Sequence, residues 1–211
     1  MHKRTTATVV AGLAVALAAP LTGSAAHAGD SRGNTSLAQV LAADGNEFDR
    51  NWMDFDIVDA AVNAVLDAKP DSTVGVLADG DVDLTAFIPT DRAFRRLVDD
   101  LTGDKPATEQ ETFDVVASLG IDTVEGVLLY HVVPGPAIDY RTARKADGAR
   151  LETALGKKIR VNVSPNGKVV RLKDRDPDAR NPIVLRKLSD INKGNPQIAH
   201  GIRDVLRPAN L

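Results

Sequence analysis

Cysteine is absent from the 211-residue chain, and histidine occurs only four times. Without thiols there can be no disulfide framework, no cysteine-ligated zinc, no thiolate nucleophile and no lipid anchor attached through a cysteine. Stability must therefore come from core packing. The chain also lacks a basic excess: 26 Lys and Arg face 29 Asp and Glu, for a formal net charge of −3. That balance argues against nucleic acid as a partner, because phosphate contacts need a basic stripe. No apolar run approaches the roughly 20 residues of a bilayer-spanning helix, so no membrane span is expected. Phosphate loop, dinucleotide fingerprint and nucleophile elbow are all missing, which leaves no residues to carry hydrolase or kinase chemistry. A non-enzymatic protein without cofactor is expected.

What is present begins at the N-terminus. His2, Lys3 and Arg4 precede an uncharged, alanine-rich run from Ala7 to Ala19 that Pro20 ends. Ala26-His27-Ala28 then places small residues at the two positions a signal peptidase reads. Residues 1–28 read as a secretory signal peptide, 29–36 as a flexible segment and 37–211 as one domain. Cleavage after Ala28 removes Lys3 and Arg4 and no acid, moving the formal charge from −3 to −5. Such a net charge offers no strong field for an anionic surface. The expected destination is extracellular or cell-envelope associated.

Along the mature part, Leu37, Val40 and Leu41 start a short helix that Gly45 and Asn46 interrupt. Phe48, Trp52 and Phe55 fall at i, i+4 and i+7, the spacing of one helical face, and read as core packing in preference to a ligand platform. Ile57-Ala61-Val65 and Val58-Val62-Leu66 form two adjacent stripes of a deeply buried helix, stopped by Lys69-Pro70-Asp71. Leu84 to Ile88 is a strand. Thr90 is placed to cap the following helix, with Asp91 in its first turn, where the helix dipole favours a negative charge. Thr108 and Glu111 form a capping box for a third helix, and Asp122 with Glu125 repeats the spacing before Val127 to Tyr130. Alternation at Ile159, Val161 and Val163, answered by Val169 to Leu172 across Pro165-Asn166-Gly167, predicts a hairpin. A charged loop spans Asp174 to Pro182. Further strands are expected at Ile183 to Leu185 and Ile198 to Leu206. Helices first and strands later indicate an α+β fold.

Three stretches resemble the signatures of the fasciclin domain family. Leu84-Thr85-Ala86-Phe87-Ile88-Pro89-Thr90-Asp91-Arg92-Ala93-Phe94 is similar to the family's first motif. Leu129-Tyr130-His131-Val132-Val133-Pro134-Gly135 is similar to its tyrosine–histidine motif, and Asn195 to Pro208 to its C-terminal signature. The ordered set covers about Leu37 to Pro208. The resemblance implies a fasciclin-like β-sandwich wedge flanked by several α-helices, and an extracellular role in adhesion or matrix binding. Departures are Pro196-Gln197 where the family has Asn-Gly, Arg203 where it has aspartate, and a long Asp56-to-Asp83 stretch. Gly201 inside the last strand suggests a bulge or a close backbone approach.

The candidate binding or structural residues are Thr90, Asp91, Tyr130, His131, Asp190 and Ile191. Crowding by Val127, Leu128, Val132 and Val133 favours a buried His131, hydrogen-bonded to the Thr90-Asp91 turn, over an adhesive Tyr130-His131 epitope. Asp190-Ile191 resembles an element implicated in receptor contact in animal relatives. Asp79-Gly80-Asp81-Val82-Asp83 has alternating carboxylates but neither the following Gly nor the closing Glu of a calcium loop, so a solvated turn and no metal are expected. The function expected is a secreted binding or adhesion module for a cell-surface or matrix protein or polysaccharide. A carrier of a small apolar ligand is the alternative.

Overall fold

The computed structural model describes residues 32–45 and 47–210. The expected leader and its cleavage point lie outside the described residues. Among the described residues no helix is long and apolar enough to cross a membrane.

The first part is helical: α1 (Leu37–Leu41), α2 (Asp56–Ala68), α3 (Asp91–Thr102), α4 (Glu109–Ser118) and α5 (Ile121–Tyr130). Strand β1 (Leu84–Pro89) is set between α2 and α3. After α5 come β2 (Val132–Pro134), the single-turn α6 (Tyr140–Ala143), β3 (Arg150–Glu152), β4 (Lys158–Val163), β5 (Val170–Lys173) and β6 (Gln197–Ile202). Two three-stranded sheets result, ordered β2-β1-β6 and β3-β4-β5. This is the α+β, fasciclin-like architecture the motifs imply.

Strand β1 explains how the layers stack. It pairs antiparallel with β2 and parallel with β6, and all six of its residues are buried. Leu84, Ala86 and Ile88 face a core shared with α2, α3 and α5, whereas Phe87 points into a second core. That second core fills the space between the sheets with Val133 and Ile202 from one, and Ile159, Val161, Val170 and Leu172 from the other. Burial on both faces is why β1 reads as an apolar run broken only by Thr85, while β4 and β5 alternate. Each fully buried Leu or Ile here contributes about 1.5–3 kcal/mol of transfer free energy.

Several local expectations hold. The Thr108–Glu111 capping box is complete, and the β4–β5 turn places Gly167 at φ +66. Gly201 marks a close approach: a Cβ there would stand 2.7 Å from Leu188 Cβ. Others need correction. Residues 48–55 are turns, because Asn51 N–H bonds the Asp49 carboxylate and Met53 N–H bonds the Asn51 side chain in place of helical carbonyls. Phe48 instead meets Phe113, and the three aromatics share no helical face. Asp122 and Glu125 do not cap α5, whose N-cap is Gly120; both carboxylates pair with Lys69. Ile183 and Val184 make only isolated bridges, and β6 ends at Ile202. The long Asp56-to-Asp83 stretch contains a 3-10 segment at Thr73–Ala78. Gln197, at one family departure, is fully buried and accepts from Leu37 N–H while donating to Val76 O and Asp79 O.

Candidate functional site

The six residues singled out in the sequence fall at separate places. Thr90 follows β1 and is the N-cap of α3 by backbone geometry, yet its side chain makes no capping bond. Asp91 is wholly buried; its Oδ1 accepts the Ile57 N–H at 2.9 Å, so it serves the start of α2, not its own helix. Burial, with Asp54 and Glu109 close by, pushes its carboxyl up to about 9. The favourable negative charge expected in the first turn of α3 is therefore absent at neutral pH.

Tyr130 and His131 lie at the end of α5. Tyr130 is fully buried in the second core and donates its hydroxyl to Lys158 O. Its phenol is raised to about 12, chiefly by burial. The His131 ring accepts the Leu206 N–H on Nε2 at 2.9 Å, which leaves Nδ1 to donate to Val127 O at 2.7 Å. Burial holds this imidazole down, to about 4, so it is neutral. The burial expectation is met, but the partner is the segment after β6, not the Thr90-Asp91 turn.

Asp190 takes the left-handed conformation at φ 59, and its Oδ1 accepts the Tyr140 N–H at 2.7 Å. Its own N–H donates to Nδ1 of buried His200, whose Nε2 then donates to Ile138 O. Ile191, half-buried, bridges to Ala199. In the Asp79–Asp83 turn, Asp79 accepts from Asp81 N–H and Asp83 pairs with Arg32.

The chemistry that does converge on the surface lies along α3. A cleft of about 840 Å³ is lined by six cationic side chains and four carboxylates, together with Trp52. Two cations are already matched: Arg207 by Asp100 and Asp176, and Arg96 by Asp204. Arg92, Arg95, Lys105 and Arg180 have no carboxylate within ion-pair reach among the described residues. Arg95 is fixed over the Trp52 ring, 4.3 Å from its centroid, with its Nε donating to Pro106 O at 2.7 Å. Burial lowers the Arg96 guanidinium, opposed by Asp204 and helped by Arg92, Arg203 and Arg180 nearby. The cleft thus carries locally the cationic field that the net charge denies to the chain as a whole.

Apolar spacing does not register this cleft. Core packing is the expectation for Trp52, but the side chain is half-buried at the cleft wall. The Arg92, Arg95, Arg96 spacing on α3 was a readable sign; the joining of Arg180 and Lys105 to it was not.

A second, smaller cleft of about 570 Å³ lies beyond Trp52, between Phe48, Asp49 and Arg50 on one side and Ala107 to Gln110 on the other. Glu109 lines it, with Oε2 accepting the Asp49 N–H at 2.6 Å. Burial raises the Glu109 carboxyl to about 7.

The model of the fasciclin domain matches residues 59–208. Among solved structures, the chain is similar to a FAS1 domain pair from the insect cell adhesion molecule fasciclin I, with a TM-score of 0.53 and 16% identity. That match covers 82% of this chain and 51% of the other, so the chain spans about half the length of the pair. No curated protein matches the chain.

Proposed function

Because this chain belongs to the fasciclin domain family, which is known for adhesion-related modules at the cell surface, we propose that it is a secreted, non-enzymatic binding module for an acidic envelope or matrix polymer. The observation that carries the reading is the α3 cleft, where Arg95 stands fixed against Trp52 and Arg92, Lys105 and Arg180 lie unpaired around it. An aromatic surface beside guanidinium groups suits a sugar ring bearing carboxylate or sulfate, since Arg donates in a planar fork to such anions. Arg95 is held before any ligand arrives, so little side-chain entropy is lost on contact. Both clefts are lined mainly by charged and polar residues, which gives the apolar-carrier reading no support.

Export follows the leader, with the secreted form beginning at Gly29; intact mass of the culture supernatant tests this. For binding, secreted protein is passed over matrices bearing a polyuronate, a sulfated dextran and neutral dextran. Retention on the acidic polymers alone, lost in Trp52→Ala and Arg180→Glu variants with unchanged melting temperatures, is the expected result. Equal behaviour on all three matrices, or retention that both variants preserve, overturns the reading.

A further inference from the structure

Beneath the Trp52 segment, three carboxylates from distant parts of the chain meet. One oxygen each of Asp54, Asp91 and Glu109 lie within 4.8 Å of one another. Asp91 and Glu109 are both 0% exposed, yet no N–H or hydroxyl donor reaches Asp91 Oδ2 or Glu109 Oε1, and none reaches the buried Asp54 Oδ1, whose carboxyl stands against that of Asp91. None of the ion pairs among the described residues reaches any of the three.

The free oxygens are not left over by chance of orientation. In Asp91 the second oxygen is occupied by the Ile57 N–H, and in Glu109 by the Asp49 N–H. Asp91 and Glu109 are thus each clamped through one oxygen by a backbone donor, and one oxygen of each belongs, with one of Asp54, to a set gathered in one place. Outer hydrogen bonds that orient ligands in this way are the usual support of a metal centre. Buried carboxylate oxygens without donors carry a desolvation cost that only a proton or a cation can relieve.

We infer that Asp54, Asp91 and Glu109 form a binding site for one hard divalent cation, calcium by preference. The donor set is all oxygen, which excludes the soft metals that seek sulfur or imidazole. Three carboxylates supply part of the 6–8 oxygens that calcium accepts, and water completes the shell more readily than in the stricter octahedron of magnesium. Glu109 lines the 570 Å³ cleft, which provides the path for ion and water. The ion ties the turn at Asp54 to the starts of α3 and α4, and so fixes the segment that carries Trp52. The site is independent of the polymer-binding reading, and its test uses no polymer.

Secreted protein freed of metal with a chelator and dialysed is titrated calorimetrically with calcium chloride, and separately with magnesium chloride. The expected result is uptake of one calcium per chain, with magnesium at least tenfold weaker and a melting temperature that rises with calcium. Asp54→Asn and Glu109→Gln, which keep size and hydrogen-bonding capacity, lower calcium affinity at least tenfold; Asp83→Asn in the Asp79–Asp83 turn leaves it unchanged. Crystals soaked in manganese show an anomalous peak among the three carboxylates. No saturable uptake at millimolar calcium overturns the inference. So does uptake that Asp54→Asn and Glu109→Gln retain, or uptake that Asp83→Asn abolishes. Should either of the first two variants fail to fold, the position of the manganese peak in the unmodified protein decides.

Discussion

His131 accepts the backbone N–H of Leu206 across 75 positions of sequence, at 2.9 Å and in full burial. The same ring donates to Val127 O, so one neutral imidazole joins the end of α5 to the segment that follows β6. Replacing it with alanine strands a buried N–H and a carbonyl and opens a void. His131→Ala is expected to cost about 1–3 kcal/mol in urea unfolding. Thr90 shares no hydrogen bond with this ring, so Thr90→Val and His131→Ala should add within roughly 0.5 kcal/mol. Strong non-additivity would show that the two side chains share one network.

The same residue makes a pH prediction. Its folded pKa is held at about 4, against an ordinary value of 6.5. Above 6.5 both folded and unfolded chains carry a neutral ring; between 6.5 and about 4 only the unfolded chain takes up the proton. This group's contribution is therefore intact above 6.5 and lost on acidification, on the order of 3 kcal/mol by the lower limit. The raised carboxyls of Asp91 and Glu109 tilt stability the other way, gaining as pH falls. Subtracting the His131→Gln profile from the wild-type one isolates the histidine. Parallel profiles would show that the ring is not held neutral.

Gln197 bonds three backbone groups from inside the fold. Gln197→Leu keeps most of the volume but leaves the Leu37 N–H without a partner and takes one of two donors from each of Val76 O and Asp79 O, which keep the Asp79 and Val82 N–H groups. A loss of about 2–3 kcal/mol is expected, read as a shift in the urea midpoint at constant slope.

Gly201→Ala should be destabilising although its backbone is an ordinary strand, because the new methyl would meet Leu188 Cβ at 2.7 Å. About 1–3 kcal/mol is expected from this overpacking. Leu188→Gly, by removing that Cβ, should make the pair less than additive. Full additivity in thermal melts would place the strain elsewhere.

Charge reversal tests the cleft. Arg92→Glu with Arg180→Glu should leave melting nearly unchanged, since both side chains are exposed. Retention on an acidic polymer should fall by roughly tenfold or more, and wild-type retention should weaken by about tenfold between about 50 and 300 mM salt. Salt-independent retention would remove the cationic wall from the contact.

Much of the fold is legible along the chain because periodicity and turn chemistry are local. The two stripes of α2, the Thr108–Glu111 box, the alternation of β4 against β5 and the Gly167 turn all follow from neighbours within a few residues. The ordered motifs add the topology. The helix expected through Phe48, Trp52 and Phe55 fails because Asp49 and Asn51 offer the backbone a competing local bond that apolar spacing does not register.

Composition and local pattern already carry the absence of disulfides, the α+β class, the family motifs and the burial of His131 among valines and leucines. What those groups touch follows from the packing of distant segments. Leu206 reaches His131, Arg180 joins Arg95 at the wall of Trp52, and Glu109 closes on Asp54 and Asp91, each across a chain separation that no local pattern encodes. The reason is physical: helix and strand periods are set within one or two turns, whereas a binding site is set by which buried faces pack together.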